Sequence, residues 1–351
     1  MKSILVVVTR QIGDVLLTTP LVRQARVLWP DAAIDVLGFA GTLGMLAGNP
    51  DVREAIAVPA KPGFGGTLAL ARRLWRRYDL ALVADPGDRA HLIGLVAARE
   101  RAGLLPARNS SNWWKRKLLA HAVTSGGDLS SEHVVAEKLR LLQPWGAPVS
   151  TPQVVGPSSA SLPAALQAKL QPGYVVVHTP SMWPYKQWPL SHFRDLIARL
   201  AAAGRQVVLT GSGSDTDRAA VAAMHGAAPD SLLVDAGVLT FNQLAGLIRG
   251  AALYIGPDTS VSHLAAACDV PVLAIFGPTN PQRWAPWPGV PQSFERVALS
   301  QTLGKVTLIQ ADLPCVPCGK AGCENHRASR SDCLPAITPE RVAEQALRML
   351  S

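Results

Sequence analysis

Apolar residues come in short bursts separated by amphipathic stretches, and that rhythm runs through the chain twice. Ile4–Thr9 is an unbroken, mostly β-branched run, the pattern of a parallel strand covered on both faces. Arg10-Gln11-Ile12-Gly13-Asp14 turns the chain into a helix predicted to run to about Leu28, with Pro30 as its stop. Strands are expected at Ile34–Leu37 and Ala55–Val58, with a helical turn at Gly41–Ala47 between them. Thr67–Arg77 has the spacing of a basic amphipathic helix. Leu80–Ala84 reads as a strand, Arg89–Ala98 as a helix, Arg101–Leu104 as a short strand and Glu132–Leu142 as a closing helix. Six prolines between Pro144 and Pro172 then break the rhythm, leaving room for one short helix near 163–170. The alternation resumes with strand Tyr174–His178, helix Ser191–Ala203, strand Gln206–Thr210, helix Asp215–His225, strand Leu232–Val234 and helix Phe241–Arg249. Strand–helix alternation of this kind specifies parallel, doubly wound sheets. The expected fold is therefore α/β, with two Rossmann-like domains at 1–150 and 173–337, a linker at 151–172 and a C-terminal helix at 338–351.

One stretch concentrates polar groups, Tyr254–Pro281, YIGPDTSVSHLAAACDVPVLAIFGPTNP. It reads as strand, turn, helix, strand, turn, with Thr259 or Ser260 capping a helix to about Cys268 and a buried strand at Pro271–Phe276. A helix start beyond a strand's carboxyl end presents backbone N–H groups and the positive end of a dipole, where an anion can sit. Asp258, Thr259, Ser262 and His263 crowd that position. Segment 281–292, rich in Pro and Trp, reads as loop.

Composition narrows the partners. A chain of 351 residues has room for two ordinary domains, and no apolar run approaches the length that spans a bilayer. The start, MKSILVVVTR, is read as a first strand rather than a signal peptide. The net charge of +9 is uneven: residues 1–150 hold 19 Lys and Arg against 12 Asp and Glu, which points to an anionic partner for the first half. No helix-turn-helix, zinc finger or RNP motif accompanies the charge, so nucleic acid is not the expected partner.

Three segments, ILVVVTRQIGDVLLTTP at 4–20, HTPSMWPYKQWPLSHFRDLI at 178–197 and GPDTSVSHLAAACDVPVLAIFGPTNP at 256–281, resemble glycosyltransferase family 9, the heptosyltransferases of bacterial lipopolysaccharide core assembly. The likeness extends over nearly the whole chain, with Ser260 where a family Gly commonly follows the Asp-Thr pair. The resemblance implies a GT-B fold, two Rossmann-like domains facing a central cleft. It implies a cytoplasmic, metal-independent inverting transferase without cofactor, peripheral at the inner face of the inner membrane. The implied donor is ADP-L-glycero-β-D-manno-heptose and the implied acceptor a phosphorylated, lipid-linked inner-core oligosaccharide. Asp14 of the IGD segment would be the catalytic base, a carboxylate taking the proton of the attacking sugar hydroxyl, with Gly13 allowing close approach. Lys186, with Thr179, would neutralise the leaving diphosphate. Asp258, Thr259, Ser260 and His263 would complete donor binding, with Asp215 and Leu239 beside them. Arg10, Gly13, Lys61, Arg73, Arg76, Arg77 and Arg108 would face the acceptor.

Other features keep two readings. Asp215-Thr216-Asp217 matches a D-x-D metal pattern, yet acids in a first helical turn follow from the dipole alone, and contact with ribose hydroxyls suits the position better. The basic run from Lys61 to Lys117, with Trp113 and Trp114, is either a solvated face or a surface for anionic headgroups, and the second is favoured. Cys315, Cys318, Cys323 and Cys333 are spaced C-x2-C-x4-C-x9-C, a candidate metal cluster or simply reduced thiols. Alternatives to the heptosyltransferase are a family relative that glycosylates protein or another core sugar, and an inactive nucleotide-sugar-binding scaffold.

Overall fold

The first apolar burst forms strand β1, Ser3–Val8, in a computed structural model that describes residues 1–61, 63–106, 112–146 and 152–351. The chain divides into two units, Met1–Pro157 and Ser158–Ser351. In the first, β1 is joined by β2 (Ala33–Phe39), β3 (Glu54–Val58), β4 (Tyr78–Val83), β5 (Ala98–Leu105) and β6 (His121–Thr124), in the order β3-β2-β1-β4-β5-β6. Every pairing in it is parallel. Alternation along β1 explains the double covering: Ile4, Val6 and Val8 enter one core with Leu21, Val22 and Ala25, while Leu5 and Val7 enter another with Leu37, Ile56 and Ile93.

The second unit repeats the plan with β7 (Val175–His178), β8 (Val207–Gly211), β9 (Leu233–Val238), β10 (Leu253–Pro257) and β11 (Val272–Ile275). Their order, β9-β8-β7-β10-β11, is extended by β13 (Val306–Ile309) and by β12 (Ser300–Leu303), which alone runs antiparallel. Each sheet thus reverses its strand order once, between β1 and β4 and between β7 and β10. In open parallel sheets ligands bind at that reversal, beyond the carboxyl ends of the strands.

Several elements differ from the sequence expectation. The helix expected from Arg10 to Leu28 is two helices, Ile12–Leu16 and Thr19–Leu28, because Pro20 has no N–H to give the Leu16 carbonyl; the Thr19 hydroxyl takes that bond at 2.8 Å. The basic helix is Phe64–Leu74 rather than Thr67–Arg77, and Arg76, at φ 50°, turns the chain into β4. Helix Trp113–Leu118 and β6 went unread, as did the hairpin β12–β13, whose edge strand is short and largely polar. Gly304 opens that hairpin turn at φ 55°, where a side chain would also meet the Pro288 carbonyl. Residues Pro281–Trp284, expected as loop, make one helical turn capped by Asn280.

Trp188 ties the carboxyl end of β7 to the end of the chain. It is fully buried, its ring meets Phe193 edge-on at 4.7 Å, and its indole N–H donates to the Ile337 carbonyl at 2.9 Å, just before the final helix Pro339–Leu350. Trp188→Ala removes that packing and one of the two bonds to the Ile337 carbonyl, whose other partner is the His192 ring at 3.2 Å, a loss of about 3–5 kcal/mol. Calorimetry should record a melting temperature lower by roughly 10 °C; an unchanged transition would mean that the C-terminal helix is held by other contacts.

Candidate functional site

Because every strand in the second sheet but β12 runs the same way, residues that follow β7, β8, β9 and β10 gather on one edge. β7 ends at His178 and passes to Thr179, whose side-chain hydroxyl is completely buried without a hydrogen-bond partner. β10 passes through Asp258 and Thr259 to helix Ser260–Ala267. Thr259 is the N-cap residue, but its side chain makes no capping bond, and the first turn carries no acid. Lys186, in a single helical turn at Pro184–Lys186, stands 2.6 Å from the Asp258 carboxylate. Thr179, Lys186, Asp258 and the helix start are therefore one cluster, combining a cation, a buried hydroxyl and a helix dipole of the sign that favours anions.

The loop holding Lys186 is fixed on several sides. Gln187 accepts from the Ser181 N–H at 2.9 Å and donates to the carbonyls of Thr179 and Trp188 at 2.9 and 2.8 Å. The Ser331 hydroxyl donates to the Tyr185 carbonyl at 2.8 Å, Trp183 stacks on Tyr185, and the Arg327 guanidinium lies 4.9 Å over the Trp183 ring. The bracing by Gln187 is not legible in the sequence, since a loop glutamine carries no distinguishing pattern.

Two polar groups of the cluster are structural. The Ser262 hydroxyl donates to the Pro257 carbonyl at 2.5 Å and meets the buried Tyr254 hydroxyl at 3.1 Å. That phenol folds back over Gly256, where a Cβ would lie 2.4 Å from it, so Gly256 is required by space. His178 lies against the Thr210 hydroxyl at 3.0 Å, and burial pushes its pKa down to about 4, keeping the ring neutral. His263 is buried in the first turns of the helix.

Asp215 and Leu239 follow β8 and β9 on the same edge. Asp215 is exposed and paired with Arg218, Asp217 accepts from the Ser212 N–H at 2.8 Å, and Leu239 is half-buried before the capping box of Thr240 and Gln243. Among the described residues no group of three or more His, Cys, Asp or Glu forms a metal-holding arrangement. Cys315, Cys318, Cys323 and Cys333 are free thiols. Burial pushes Cys333 up to about 12, and Cys318, Cys315 and Cys323 add to the shift.

In the first sheet the strand-order reversal places Thr9 beside Asp85. The Asp85 carboxylate is buried and committed, accepting from the Thr9 N–H at 3.2 Å, the Thr9 hydroxyl at 2.5 Å and the Gly87 N–H at 2.9 Å. Asp14 is half-buried in the first turn of helix Ile12–Leu16, next to Gly13. Its backbone carbonyl accepts from the Thr18 hydroxyl at 2.6 Å and from the Lys138 ammonium at 2.9 Å. Lys138 donates also to the Thr18 hydroxyl at 2.8 Å and is only 2% exposed. Burial lowers its pKa to about 8; the charges of Asp14, Glu137 and Asp85 oppose that shift and Arg10 adds to it. A lysine in an amphipathic helix reads as solvent-facing, so nothing in the sequence singled it out.

The basic residues separate into two groups. Arg10 follows β1 and Lys61 follows β3, so both lie on the carboxyl edge with Asp14, and Arg89 fastens the Lys61 segment through the carbonyls of Pro59 and Ala60. Arg73 pairs with Glu54, the first residue of β3, and Arg76 and Arg77 precede β4. The structure therefore places these three on the amino edge, a strand length of roughly 20 Å away, and does not bring them to Asp14. Arg108 lies outside the described residues.

Comparison with known proteins agrees with this layout. The model of glycosyltransferase family 9 (heptosyltransferase) matches residues 67–301. Lipopolysaccharide heptosyltransferase 3 of Escherichia coli is 30% identical over 294 residues, covering 78% of this chain and 83% of that protein. Lipopolysaccharide heptosyltransferase 1 of Pseudomonas aeruginosa is 29% identical and spans 99% of this chain and 98% of its own. The solved structure of E. coli ADP-heptose lps heptosyltransferase II superposes with a TM-score of 0.70 at 23% identity, over 100% of this chain and 98% of that one. The last likeness bears on fold, and it agrees with the two Rossmann-like halves of the GT-B class.

Lys138 gives a pH test. A lysine whose folded pKa is lowered from 10.5 to about 8 penalises folding fully below pH 8, where both states carry the charge, and not at all above 10.5, where neither does. Its contribution to stability should thus rise by about 3 kcal/mol between pH 8 and 10.5. Urea unfolding of wild type and Lys138→Met across that range should show the rise in the first and not the second; parallel curves would mean that the amine titrates normally.

Proposed function

The chain belongs to glycosyltransferase family 9, the heptosyltransferases, and is a glycosyltransferase; from that premise we propose that it moves a heptose from ADP-heptose to the inner core of lipopolysaccharide. The observation that carries the donor half is the cluster beyond β7 and β10: the buried, partnerless Thr179 hydroxyl, the Lys186–Asp258 pair and the uncapped start of helix Ser260–Ala267. Such a cluster matches a diphosphate in charge and in hydrogen-bonding capacity. Asp258 sets the position of the Lys186 ammonium, so charge that grows on the leaving phosphate meets a cation already in place. Asp215 and Leu239, farther along the same edge, suit the ribose and base of the nucleotide. ADP and lipopolysaccharide enter the proposal from the names of the relatives.

In this reading Asp14 takes the proton from the acceptor hydroxyl as that oxygen attacks the anomeric carbon from the face opposite the diphosphate, inverting the centre. Thr179, Ser260 and His263 border the donor, and Arg10, Gly13 and Lys61 meet the acceptor's anionic groups. The reaction needs neither cofactor nor metal, the cation role falling to Lys186.

The acceptor's lipid anchor gives the outer face of the first unit a role. Helix Phe64–Leu74 buries only Leu74. Phe64 and Trp75 are 87% and 67% exposed, with Leu68 between them on the same stripe and Arg72, Arg73, Arg76 and Arg77 alongside. Exposed apolar groups flanked by arginines suit an anionic bilayer surface, and we assign this face to peripheral contact with the inner leaflet of the inner membrane. Among the described residues no helix is long and apolar enough to cross a membrane.

The donor assignment is tested by melting curves with ADP and no added divalent cation. ADP should raise the transition more than other nucleoside diphosphates at equal concentration, and a strict need for Mg²⁺ would return the metal reading of Asp215 and Asp217. Turnover is read by mass spectrometry with ADP-heptose and truncated lipopolysaccharide acceptors. Asn caps helices about as well as Asp, so Asp14→Asn should keep fold and donor KM while kcat falls by roughly a hundredfold to ten-thousandfold. Lys186→Ala should raise donor KM and lower kcat together. Near-normal turnover in Asp14→Asn would place the base elsewhere.

The membrane assignment has its own assay. Phe64→Ser with Trp75→Ser should abolish sedimentation with phosphatidylglycerol vesicles and leave ADP binding intact. Added salt should weaken the wild-type interaction through screening of the arginines. Equal sedimentation of the variant would make the stripe an ordinary solvated face.

A further inference from the structure

We propose that Lys138 is the positioning residue of the catalytic base, its ammonium clamping the Asp14 carbonyl and the Thr18 hydroxyl so that the short helix bearing Asp14 holds one geometry. The inference rests on the reading of Asp14 as base. Helix Ile12–Leu16 has five residues, too few to be stable by its own hydrogen bonds. It cannot borrow rigidity from the next helix, because Pro20 breaks the ladder between them. At the break the Thr18 N–H bonds the Val15 carbonyl at 3.1 Å, and the Asp14 carbonyl is held by side chains alone. One of them, Lys138, comes from helix Val134–Leu139, 124 residues away in sequence.

The chemistry of the clamp is informative. Among the described residues the buried ammonium donates to two neutral oxygens, and a buried charge held this way costs stability that a methionine of similar length would not. A helix held for stability alone has no use for that charge. A helix that must hold a carboxylate to within a fraction of an ångström does, because charge-assisted bonds are short and stiff. The charged groups around Lys138 are Asp14, Glu137 and Asp85 on the negative side and Arg10 on the positive. The ammonium thus also sits in the field of the carboxylate whose backbone it holds.

A double-mutant cycle tests this separately from the base assignment. Lys138→Met should lower kcat by about tenfold to a hundredfold, the range expected when a reacting group is displaced by an ångström, with donor KM unchanged. In a chain already carrying Asp14→Asn, the same substitution should change kcat by no more than about twofold, since its effect passes through Asp14. Should Lys138→Met fail to fold, the cycle is run with Lys138→Arg, which keeps the charge but not the geometry and should lower kcat in the same direction. Unchanged turnover in Lys138→Met, or an equal fold-loss in both backgrounds, would overturn the proposal. Normal turnover in Asp14→Asn alone would instead remove the base, and any loss from Lys138→Met there would show a role independent of Asp14.

Discussion

The parallel pairing of β7 with β10, in register from Val175 opposite Leu253 to Val177 opposite Ile255, sets where every group of the second unit's site can stand. Residues that follow two parallel neighbours emerge on the same edge. Thr179 and Asp258, far apart in sequence, are thereby placed side by side, and the loop after β7 returns Lys186 to Asp258. The strand-order reversal matters equally. β8 and β11 lie on opposite sides of this pair, so the helices that follow β7 and β10 diverge and leave the edge between them open. Substituting any one polar residue changes the chemistry offered there, whereas a slip in this pairing would disperse it.

Two lysines, one buried and one partly exposed, show how differently one charge is used. Lys186 is a quarter exposed and faces a carboxylate, so its charge is balanced in the absence of ligand and is held close to where a second anion would arrive. Lys138 is sealed against two neutral oxygens and pays in a lowered pKa. A pair beside a helix N-terminus suits exchange with a ligand; an ammonium locked onto a peptide carbonyl suits permanence. In the proposed reading the first suits holding a donor that comes and goes, and the second suits fixing a stationary base.

Both halves of the fold were legible because most strands are buried apolar bursts and most of the longer helices are amphipathic, the two periodicities that sequence displays most directly. Elements escaped where that signal vanishes: Ser300–Leu303 is polar because it is an exposed edge, and Trp113–Leu118 is too short to show a period. The positions of Asp14, Thr179, Lys186 and Asp258 were readable from turn chemistry and motif together. Their partners were not. Gln187, Asp85 and Lys138 act through tertiary hydrogen bonds spanning eight, 76 and 124 residues, and no local pattern distinguishes a side chain that will be buried by a distant element. Arg73, Arg76 and Arg77 illustrate the converse, since charge density suggested one basic surface where strand direction makes two.

That division follows from topology and has a consequence for an anionic, lipid-anchored acceptor. In a parallel sheet the connecting helix runs back from the carboxyl edge to the amino edge. Helix Phe64–Leu74 accordingly begins near the edge that carries Asp14 and ends at the edge that carries Arg76 and Arg77. Its exposed stripe, about 16 Å long at 1.5 Å per residue, joins the two basic groups along one outer face. A molecule resting on that face would meet arginines at the far end and Lys61, just ahead of Phe64, at the near one. In the proposed reading the near end is where an acceptor sugar would arrive for Asp14 to act on it, while the far end would offer attraction alone. Charge that looks redundant along the sequence is thus separated in space into two groups at opposite edges of the sheet, by no device other than the direction in which β3 and β4 run.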